Sequence, residues 1–369
     1  MPKASETILE IDLNALDHNY RFITSNLKPT TRVLGVVKAS GYGSDGAEIA
    51  RELVELGADY LAVAYVNEGV ELRDAGIEAP VLVLHPQPVN FDVLIERCLE
   101  PALYSARVLK SFIAKAEEHS QKDYPVHLKF NTGLNRLGFW ENDTEWITER
   151  LSGTSAIKVK SMFSHLAASE DASEKDFTLN QIKSFKAITE DMRSKLGYEM
   201  MLHQSNTSAI LNYPEAEFDM VRTGIGLYGY GNNPSIDTHL IPVLHLKTVI
   251  SQIHMIEPGE TVGYNRAYAA KGYEKTATLP IGHADGIPRS LGNKKGSVII
   301  SGQKADIIGN VCMDMMMVDV TNIDCKEGDE VIVIGEKMPA SELAAAGNTI
   351  SYELLTALSH RIKRVVCRK

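Results

Sequence analysis

The chain has 369 residues, 44% hydrophobic and 23% charged, a composition typical of globular proteins long enough to form two hydrophobic cores. Its net charge of −10 argues against a nucleic-acid-binding surface, and no segment approaches the roughly 18 consecutive apolar residues that a membrane span needs. The N-terminus lacks the apolar core of a signal peptide and the four cysteines show no metal-binding or disulfide spacing, so we predict a cytoplasmic protein without a metal site.

The first 223 residues alternate between strand and helix patterns. An opening strand, TILEIDL, leads into a predicted helix over residues 13–27. Eight apolar strand candidates follow, each with a helix or helical turn after it, at residues 33–37, 60–64, 80–84, 101–105, 126–130, 157–165, 200–204 and 219–223. Such alternation predicts a parallel sheet, and eight units within about 200 residues favour a (β/α)₈ TIM-type barrel over an open sheet.

The pattern changes near residue 240. Short apolar runs separated by turn signals such as Glu257-Pro258-Gly259-Glu260 predict a second, mostly β domain. Helical patterns return only at residues 340–347 and after Thr349. We therefore predict a barrel domain over residues 1–239 and a C-terminal β-rich domain over residues 240–369, with a strand from residues 5–13 contributing to the second.

The stretch VVKASGYGSDG contains a glycine pattern with two interpretations. Its segment 41–46 matches the G-x-G-x-x-G of a dinucleotide-binding turn. However, three residues separate the strand from the first glycine, and no acidic residue ends the next strand to bind a ribose hydroxyl. Lys38 instead ends the first barrel strand, where a partly desolvated amine can lose its proton and form a Schiff base. An ordinary lysine that reaches solvent is the alternative.

Polar and glycine residues gather at the ends of the other barrel strands. Strand five runs into the segment 129–138, strand six ends at His165, strand seven runs into 203–208, and strand eight into 222–226. The loops after strands seven and eight are the usual phosphate site of a barrel, and Thr207 with the N–H groups of Gly224 and Ile225 suits that task. A lysine, a phosphate cradle and the arginine at 222 together predict pyridoxal 5′-phosphate (PLP) as cofactor.

At this point the chain resembles the alanine racemases, which are PLP-dependent enzymes with an N-terminal barrel and a C-terminal β domain. Nine matching stretches follow one another over the whole chain: EIDLNALDHNYR (10–21), VVKASGYG (36–43), LKFNTGLNRLGF (128–139), HQSNTSA (203–209), VRTGIGLYG (221–229), VGYNRAY (262–268), IGHADG (281–286), NVCMDMMMVDV (310–320) and SYELLTALSHRI (351–362). The resemblance implies interconversion of L-alanine and D-alanine, supply of D-alanine for peptidoglycan, and a homodimer whose subunits share their active sites.

The resemblance also implies residue roles. Lys38 would hold PLP and act as the base on one face of the substrate Cα, and Tyr264 of the neighbouring subunit would act on the other face. The cofactor-binding residues would be Lys38, Tyr42, Arg136, His165, Asn206, Thr207, Arg222, Gly224, Ile225 and Tyr352. Arg222 would meet the pyridine nitrogen, and the substrate carboxylate would meet Arg136 and the Met313 N–H, with Asp314 close by. Lys129 occupies a position that is carbamylated in many relatives.

A tyrosine that acts as a base needs nearby positive charge, and Arg222 and His165 are candidates for that field. The sequence departs from the family pattern at five places: Ser44-Asp45, Asn131, Leu134, His283 and Asn310. The last two lie near the expected active-site entrance and leave open a broader racemase that also accepts serine. A barrel-fold decarboxylase, a PLP-binding protein without turnover and a silent interaction protein are further alternatives. The presence of Lys38, Arg222 and Tyr264 together favours the racemase.

Overall fold

A computed structural model describes residues 4–231 and 234–369. Its two largest sheets have eight and nine strands. The first strand, β1 (Ile8–Asp12), does not join the eight-stranded sheet, because it pairs antiparallel with a strand of the C-terminal half and parallel with the last strand of the chain. The first strand of the chain therefore belongs to the nine-stranded sheet, and the barrel strands follow it in the sequence.

The eight-stranded sheet is parallel and forms a nearly closed barrel. Its strands are β2 (Arg32–Val36), β3 (Tyr60–Val63), β4 (Val81–Val83), β5 (Glu100–Leu103), β6 (Tyr124–Lys129), β7 (Ile157–Phe163), β8 (Met201–His203) and β9 (Met220–Thr223). The order β8-β7-β6-β5-β4-β3-β2-β9 leaves the edges β8 and β9 to meet. Two backbone hydrogen bonds join them, from Asp219 N to Leu202 O (3.0 Å) and from Arg222 N to Ser205 O (3.1 Å). The predicted barrel of eight strands is confirmed.

Helices connect and cover the barrel strands. They are α1 (Leu13–Thr24), α2 (Lys38–Tyr42), α3 (Gly46–Glu55), α4 (Val66–Asp74), α5 (Phe91–Glu96), α6 (Ala106–Glu118), α7 (Thr144–Ser152), α8 (Lys175–Leu196), α9 (Thr207–Asn212) and α10 (Pro234–Asp237). Short 3₁₀ helices lie at Pro88–Asn90, Glu141–Asp143, Ala172–Glu174, Pro214–Ala216 and Ile225–Tyr228. The central strands β3, β4 and β5 are buried along their whole length, as parallel strands covered on both faces must be.

The C-terminal part is mostly β-structure, as predicted. Its strands are β10 (Leu244–Val249), β11 (Gln252–Ile256), β12 (Thr261–Val262), β13 (Tyr268–Ala269), β14 (Glu274–Leu279), β15 (Ser297–Ile300), β16 (Gln303–Ile308), β17 (Met316–Asp319), β18 (Glu330–Ile334) and β19 (Lys363–Cys367). Helices α11 (Ala340–Ala346) and α12 (Ser351–Thr356) and 3₁₀ helices at Tyr264–Arg266, His283–Asp285 and Arg289–Leu291 complete it.

The nine-stranded sheet has the order β11-β14-β17-β16-β15-β18-β10-β1-β19, and β12 and β13 form a separate hairpin. The domain boundary that we propose at residues 239 and 240 falls between α10 and β10. Over residues 4–231 and 234–369, no helix has both the length and the apolar character that crossing a bilayer requires.

Candidate active site

A cavity of about 1160 Å³ opens at the carboxyl ends of the barrel strands. It brings together all the residues to which the sequence assigns cofactor binding, and Lys129: Lys38, Tyr42, Lys129, Arg136, His165, Asn206, Thr207, Arg222, Gly224, Ile225 and Tyr352. In a barrel this end carries the chemistry, since loops from several strands converge there. The cavity is therefore the candidate active site.

Lys38 sits at the start of a strained turn. The next four residues, Ala39, Ser40, Gly41 and Tyr42, all have positive φ, at 53°, 52°, 65° and 55°. A left-handed backbone costs a non-glycine residue roughly 1–2 kcal/mol, so neighbouring contacts must hold this turn in place.

Two charged side chains outside the turn hold it. Glu68 accepts hydrogen bonds from Ala39 N (2.5 Å) and from Ala64 N (2.6 Å), which ties the turn to the end of β3. Arg364, on β19, donates to Gly43 O at 3.0 Å. Side chains from both halves of the sequence therefore stabilise the strained turn after Lys38.

The unusual Ser44-Asp45 pair now has a local explanation. Ser44 Oγ donates to Gly41 O and closes the strained turn. The Asp45 carboxylate caps α3, since its Oδ1 accepts from Ala47 N and Glu48 N at 3.1 Å each. The glycine pattern therefore marks a turn and a helix cap beside Lys38.

The surroundings of the cavity lower the pKa of two lysines. Burial lowers the pKa of Lys38, and the charge of Arg136 lowers it further, although Glu68 opposes this. Burial also lowers the pKa of Lys129 to about 8, with added repulsion from Arg136 and Arg222. An amine that is partly unprotonated near neutral pH can act as a nucleophile or a base.

A phosphate cradle forms between the buried Tyr42, the half-buried Tyr352 and the loop after β9. The Tyr42 ring lies 6.0 Å from that of Tyr352. A Cβ at Gly224 would collide with the Tyr42 hydroxyl, so a larger residue there would displace Tyr42. Gly224 N donates to Thr207 Oγ1 (3.3 Å), and Ile225 begins a 3₁₀ helix, whose first N–H groups have no acceptor within the helix. This wall is suited to a dianionic phosphate.

Arg222 is buried and rigidly held. Nη1 donates to His203 Nδ1 (2.8 Å) and His203 O (3.0 Å). Nη2 shares its two protons among Ser164 O (2.7 Å), Gln204 O (2.9 Å) and His165 Nδ1 (3.1 Å). Burial lowers its pKa to about 9, so it remains a cation near neutral pH. Nε has no acceptor among the described residues, which leaves one N–H for a ligand in the cavity.

His165 does not supply the positive field that the sequence suggests. Its Nδ1 accepts from Arg222, and burial together with the charge of Arg222 holds its pKa well below the usual value. The ring is therefore neutral, and the expectation of a cation at this position is wrong. Asn206 lines the same cavity, but its Oδ1 is occupied by Ala209 N (2.9 Å) as the cap of α9.

The other three predicted site residues lie elsewhere in the chain. Tyr264, Met313 and Asp314 line a separate cavity of about 670 Å³ on the C-terminal β domain. Tyr264 is 70% exposed. One chain therefore holds two incomplete sets of predicted site residues.

Tyr264 lies on a strained loop between β12 and β13. The flanking residues Gly263, Asn265 and Arg266 have φ values of 75°, 62° and 52°. Asn310 Nδ2 donates to the Tyr264 carbonyl at 3.0 Å. Asn310, which departs from the family pattern, therefore holds the backbone that presents the tyrosine.

The loop containing Met313 is also fixed by backbone contacts. His283 N donates to Cys312 O and Ala284 N to Met313 O, both at 2.9 Å. The Asp314 carboxylate accepts from Arg361 Nη2 (2.7 Å), so its charge is paired. A substrate carboxylate can therefore approach the Met313 N–H without meeting an unpaired negative charge.

The residues of the barrel cavity fit PLP. A lysine of lowered pKa suits the cofactor aldehyde, the cradle at Tyr42 and Gly224 suits its phosphate, and the remaining N–H of Arg222 suits its ring nitrogen. Sequence reasoning missed Glu68, Arg364 and His203 as supports of these groups. Glu68 starts a helix and His203 ends a strand, and neither position by itself signals a contact with Lys38 or Arg222.

Comparison with known proteins places both halves in one family. The family model for the N-terminal domain of alanine racemase matches residues 11–232, and that for the C-terminal domain matches residues 243–366. The chain is 38% identical over 367 residues to an alanine racemase of Clostridium novyi, covering 96% of this chain and 94% of the relative.

Solved structures agree with this assignment. An alanine racemase of Clostridium difficile in complex with cycloserine has a TM-score of 0.90 and 33% identity, covering 100% of this chain and 97% of that one. An alanine racemase of Bartonella henselae with covalently bound pyridoxal phosphate has a TM-score of 0.89 and 30% identity, covering 99% of this chain and 100% of the other.

Proposed function

This chain belongs to the alanine racemase family and is a PLP-dependent alanine racemase, and we propose that it inverts alanine with two bases, Lys38 and Tyr264, drawn from two subunits. The observation that carries the proposal is the separation of the two residue sets. Lys38 lies in a barrel cavity that Tyr264 does not line, and Tyr264 is exposed on the C-terminal domain. A second copy of the chain brings the missing set to each cavity.

The reaction requires proton transfer on both faces of the substrate Cα. PLP, when bound, supplies the electron sink that makes the Cα–H acidic enough to remove. Lys38 exchanges the proton on one face, helped by the burial that lowers its pKa. The Tyr264 hydroxyl exchanges the proton on the other face. Removal by one group and delivery by the other inverts the centre.

The surface around Tyr264 supports a homodimer. Tyr264, Met313 and Met315 line the same cavity and are exposed by 70%, 59% and 50%. Exposed apolar side chains clustered in this way are typical of a protein contact surface. We propose that this surface covers the barrel mouth of the partner subunit, which also keeps water from the reacting atoms.

Arg136 and Met313 are proposed to bind the substrate carboxylate, with Asp314 beside them. In this arrangement Lys129 would orient Arg136 after it becomes a carbamate. A carbamate forms from a neutral amine and CO₂, and the pKa of Lys129 near 8 makes that form available.

A carbamate at Lys129 is therefore an expected result. Protein equilibrated with ¹³C-bicarbonate should show a carbamate signal by NMR that Lys129→Ala lacks. Because the neutral amine increases as pH rises through about 8, the signal should increase over the same interval. Lys160→Ala, at an exposed lysine of β7, is the matched control and should keep the signal. An unchanged spectrum in Lys129→Ala would rule the modification out.

The cellular role is proposed from the reaction and the chemistry of the chain. D-Alanine made by this enzyme would supply peptidoglycan synthesis, and the enzyme would work in the cytoplasm. Four free cysteines, at 98, 312, 325 and 367, are compatible with a reducing compartment.

The comparisons do not favour a broader racemase or a PLP-binding protein without turnover. A panel of L-amino acids followed by chiral separation should show the highest kcat/KM with alanine and a lower value with serine. The preference for alanine is expected because the relatives over the full length of the chain are alanine racemases. Failure to racemise alanine would contradict the proposed function, and equal rates for serine would contradict the preference for alanine.

A further inference from the structure

Five buried side chains form a continuous hydrogen-bonded row through the barrel interior. They come from five consecutive strands, β5 to β9, and are Glu100, His127, Ser161, His203 and Arg222. The distances are 2.7 Å from Glu100 Oε2 to His127 Nε2, 2.5 Å from His127 Nδ1 to Ser161 Oγ, 2.9 Å from Ser161 Oγ to His203 Nε2, and 2.8 Å from His203 Nδ1 to Arg222 Nη1. Glu100 lies at the start of β5, whereas Arg222 faces the cofactor cavity.

Arg222 sets the direction of the hydrogen bonds from one end of the row. A guanidinium has only donors, so His203 Nδ1 must accept and its proton must sit on Nε2. That proton is donated to Ser161 Oγ, and the Ser161 hydroxyl then donates to His127 Nδ1. The His127 proton is therefore on Nε2 and is donated to Glu100. All four bonds run from the arginine to the carboxylate, and aligned bonds polarise one another.

Glu100 imposes the same direction from the other end of the row. An ionised carboxylate only accepts, so His127 must present a donor to it. If residue 100 could donate a hydrogen bond to His127, the protons of His127 and His203 could both move from Nε2 to Nδ1. The His203 Nδ1–H would then face the Arg222 N–H. Two donors at 2.8 Å would repel each other and turn the guanidinium.

We propose that Glu100 is a positioning residue for the racemase reaction, acting through His127, Ser161 and His203 to fix the donor that Arg222 presents to the cofactor ring. The proposal rests on the proposed contact between Arg222 Nε and the ring nitrogen. With Nη1 held by His203 and Nη2 by Ser164, Gln204 and His165, Nε carries the one N–H that is left for the ligand. The Glu100 carboxylate, at the far end of the barrel, allows only this arrangement of hydrogen bonds at Arg222.

The test is Glu100→Gln in the holoenzyme, because glutamine keeps the shape and can either accept or donate. We expect a shift in the visible absorption of the bound cofactor and a loss of kcat/KM on the order of 10-fold, the effect typical of groups that orient a histidine. The ¹⁵N shifts of labelled histidines should show Nε2–H tautomers for His127 and His203 in the wild type and a mixture in the variant. Wild-type spectrum and tautomers in Glu100→Gln would overturn the proposal.

Glu52→Gln is the matched control. Glu52 is another buried carboxylate, on α3, and accepts from Arg368 Nη1 at 2.9 Å. Its replacement should lower stability without moving the cofactor spectrum. A spectral shift equal to that of Glu100→Gln would mean that any buried charge loss has this effect, and would overturn the proposal.

Ser161→Ala tests whether the effect travels through the row, and replaces Glu100→Gln if that variant does not fold. Ser161→Ala alone should shift the cofactor spectrum, and Glu100→Gln should add nothing in that background. An unshifted Ser161→Ala spectrum, or additive effects of the two changes, would overturn the proposal. Arg222→Lys tests the contact between Arg222 and the cofactor ring by itself. If this variant leaves the cofactor spectrum unchanged, that contact is wrong, and the failure lies in the proposed function rather than in the role of Glu100.

Discussion

Replacing Lys38 with alanine is expected to remove covalent cofactor binding and to lower racemisation by at least about 10⁴-fold, since one change removes both a covalent attachment and a base. The fold should survive, because Lys38 is only half-buried and the turn that follows it is held by Glu68 and Arg364. Borohydride treatment, which makes the link to the cofactor permanent, should label Lys38 in the wild type and nothing in the variant.

Lys160→Ala provides the control for this prediction, because Lys160 is an exposed lysine on the outer face of β7. It should keep both the label and the activity. Label that remains in Lys38→Ala, or that appears on Lys129 in the wild type, would refute the assignment of the attachment site.

Replacing Tyr264 with phenylalanine is expected to leave PLP binding intact and to lower kcat by about 10²–10⁴-fold, the usual range for the loss of a general acid–base group. The ring stays in place and only the hydroxyl is removed. Tyr264 does not line the barrel cavity of its own chain, so the cofactor affinity of the folded protein should not change. Tyr273→Phe is the matched control, since Tyr273 is 71% exposed on the same domain.

Hydrogen exchange gives Tyr264→Phe a second readout. In deuterated water, Lys38 should still exchange the α-hydrogen of one alanine enantiomer, while the other enantiomer should exchange slowly because its face has lost its base. Equal exchange of both enantiomers would show that a single group serves both faces, and the two-base proposal would be wrong.

The barrel was predictable because its signal is repeated. Each strand candidate from residues 33–37 to 219–223 is an apolar run followed by a helical pattern, and all eight coincide with observed strands. The hairpin of β12 and β13 was not predictable, since two-residue strands are too short to show alternation. β19 was missed as well, because a parallel partner 355 residues away leaves no local trace.

The candidate site was predictable only in part. Residues such as Lys38 and Arg222 lie at strand ends, where barrel chemistry is expected. The left-handed backbone at Ala39 and Ser40 has no sequence signal, because alanine and serine rarely adopt positive φ and tertiary contacts such as those of Glu68 and Arg364 impose it.

The polar residues inside the barrel were hidden for a different reason. His127 lies within an apolar strand candidate. A histidine that only satisfies its hydrogen bonds in the core and a histidine that helps to position Arg222 give the same sequence pattern there. Only the partners on neighbouring strands distinguish them, and these partners are 34 residues apart in the case of Ser161.

The most direct test of sites shared between subunits is to mix Lys38→Ala chains with Tyr264→Phe chains after unfolding and reassembly. Each mixed dimer should contain one site with both wild-type residues and one with neither. Equal mixing makes half of the dimers mixed, each with one intact site of two, so about a quarter of the wild-type activity should return. Absence of activity in verified mixed dimers would contradict the proposal that Lys38 and Tyr264 act from different subunits.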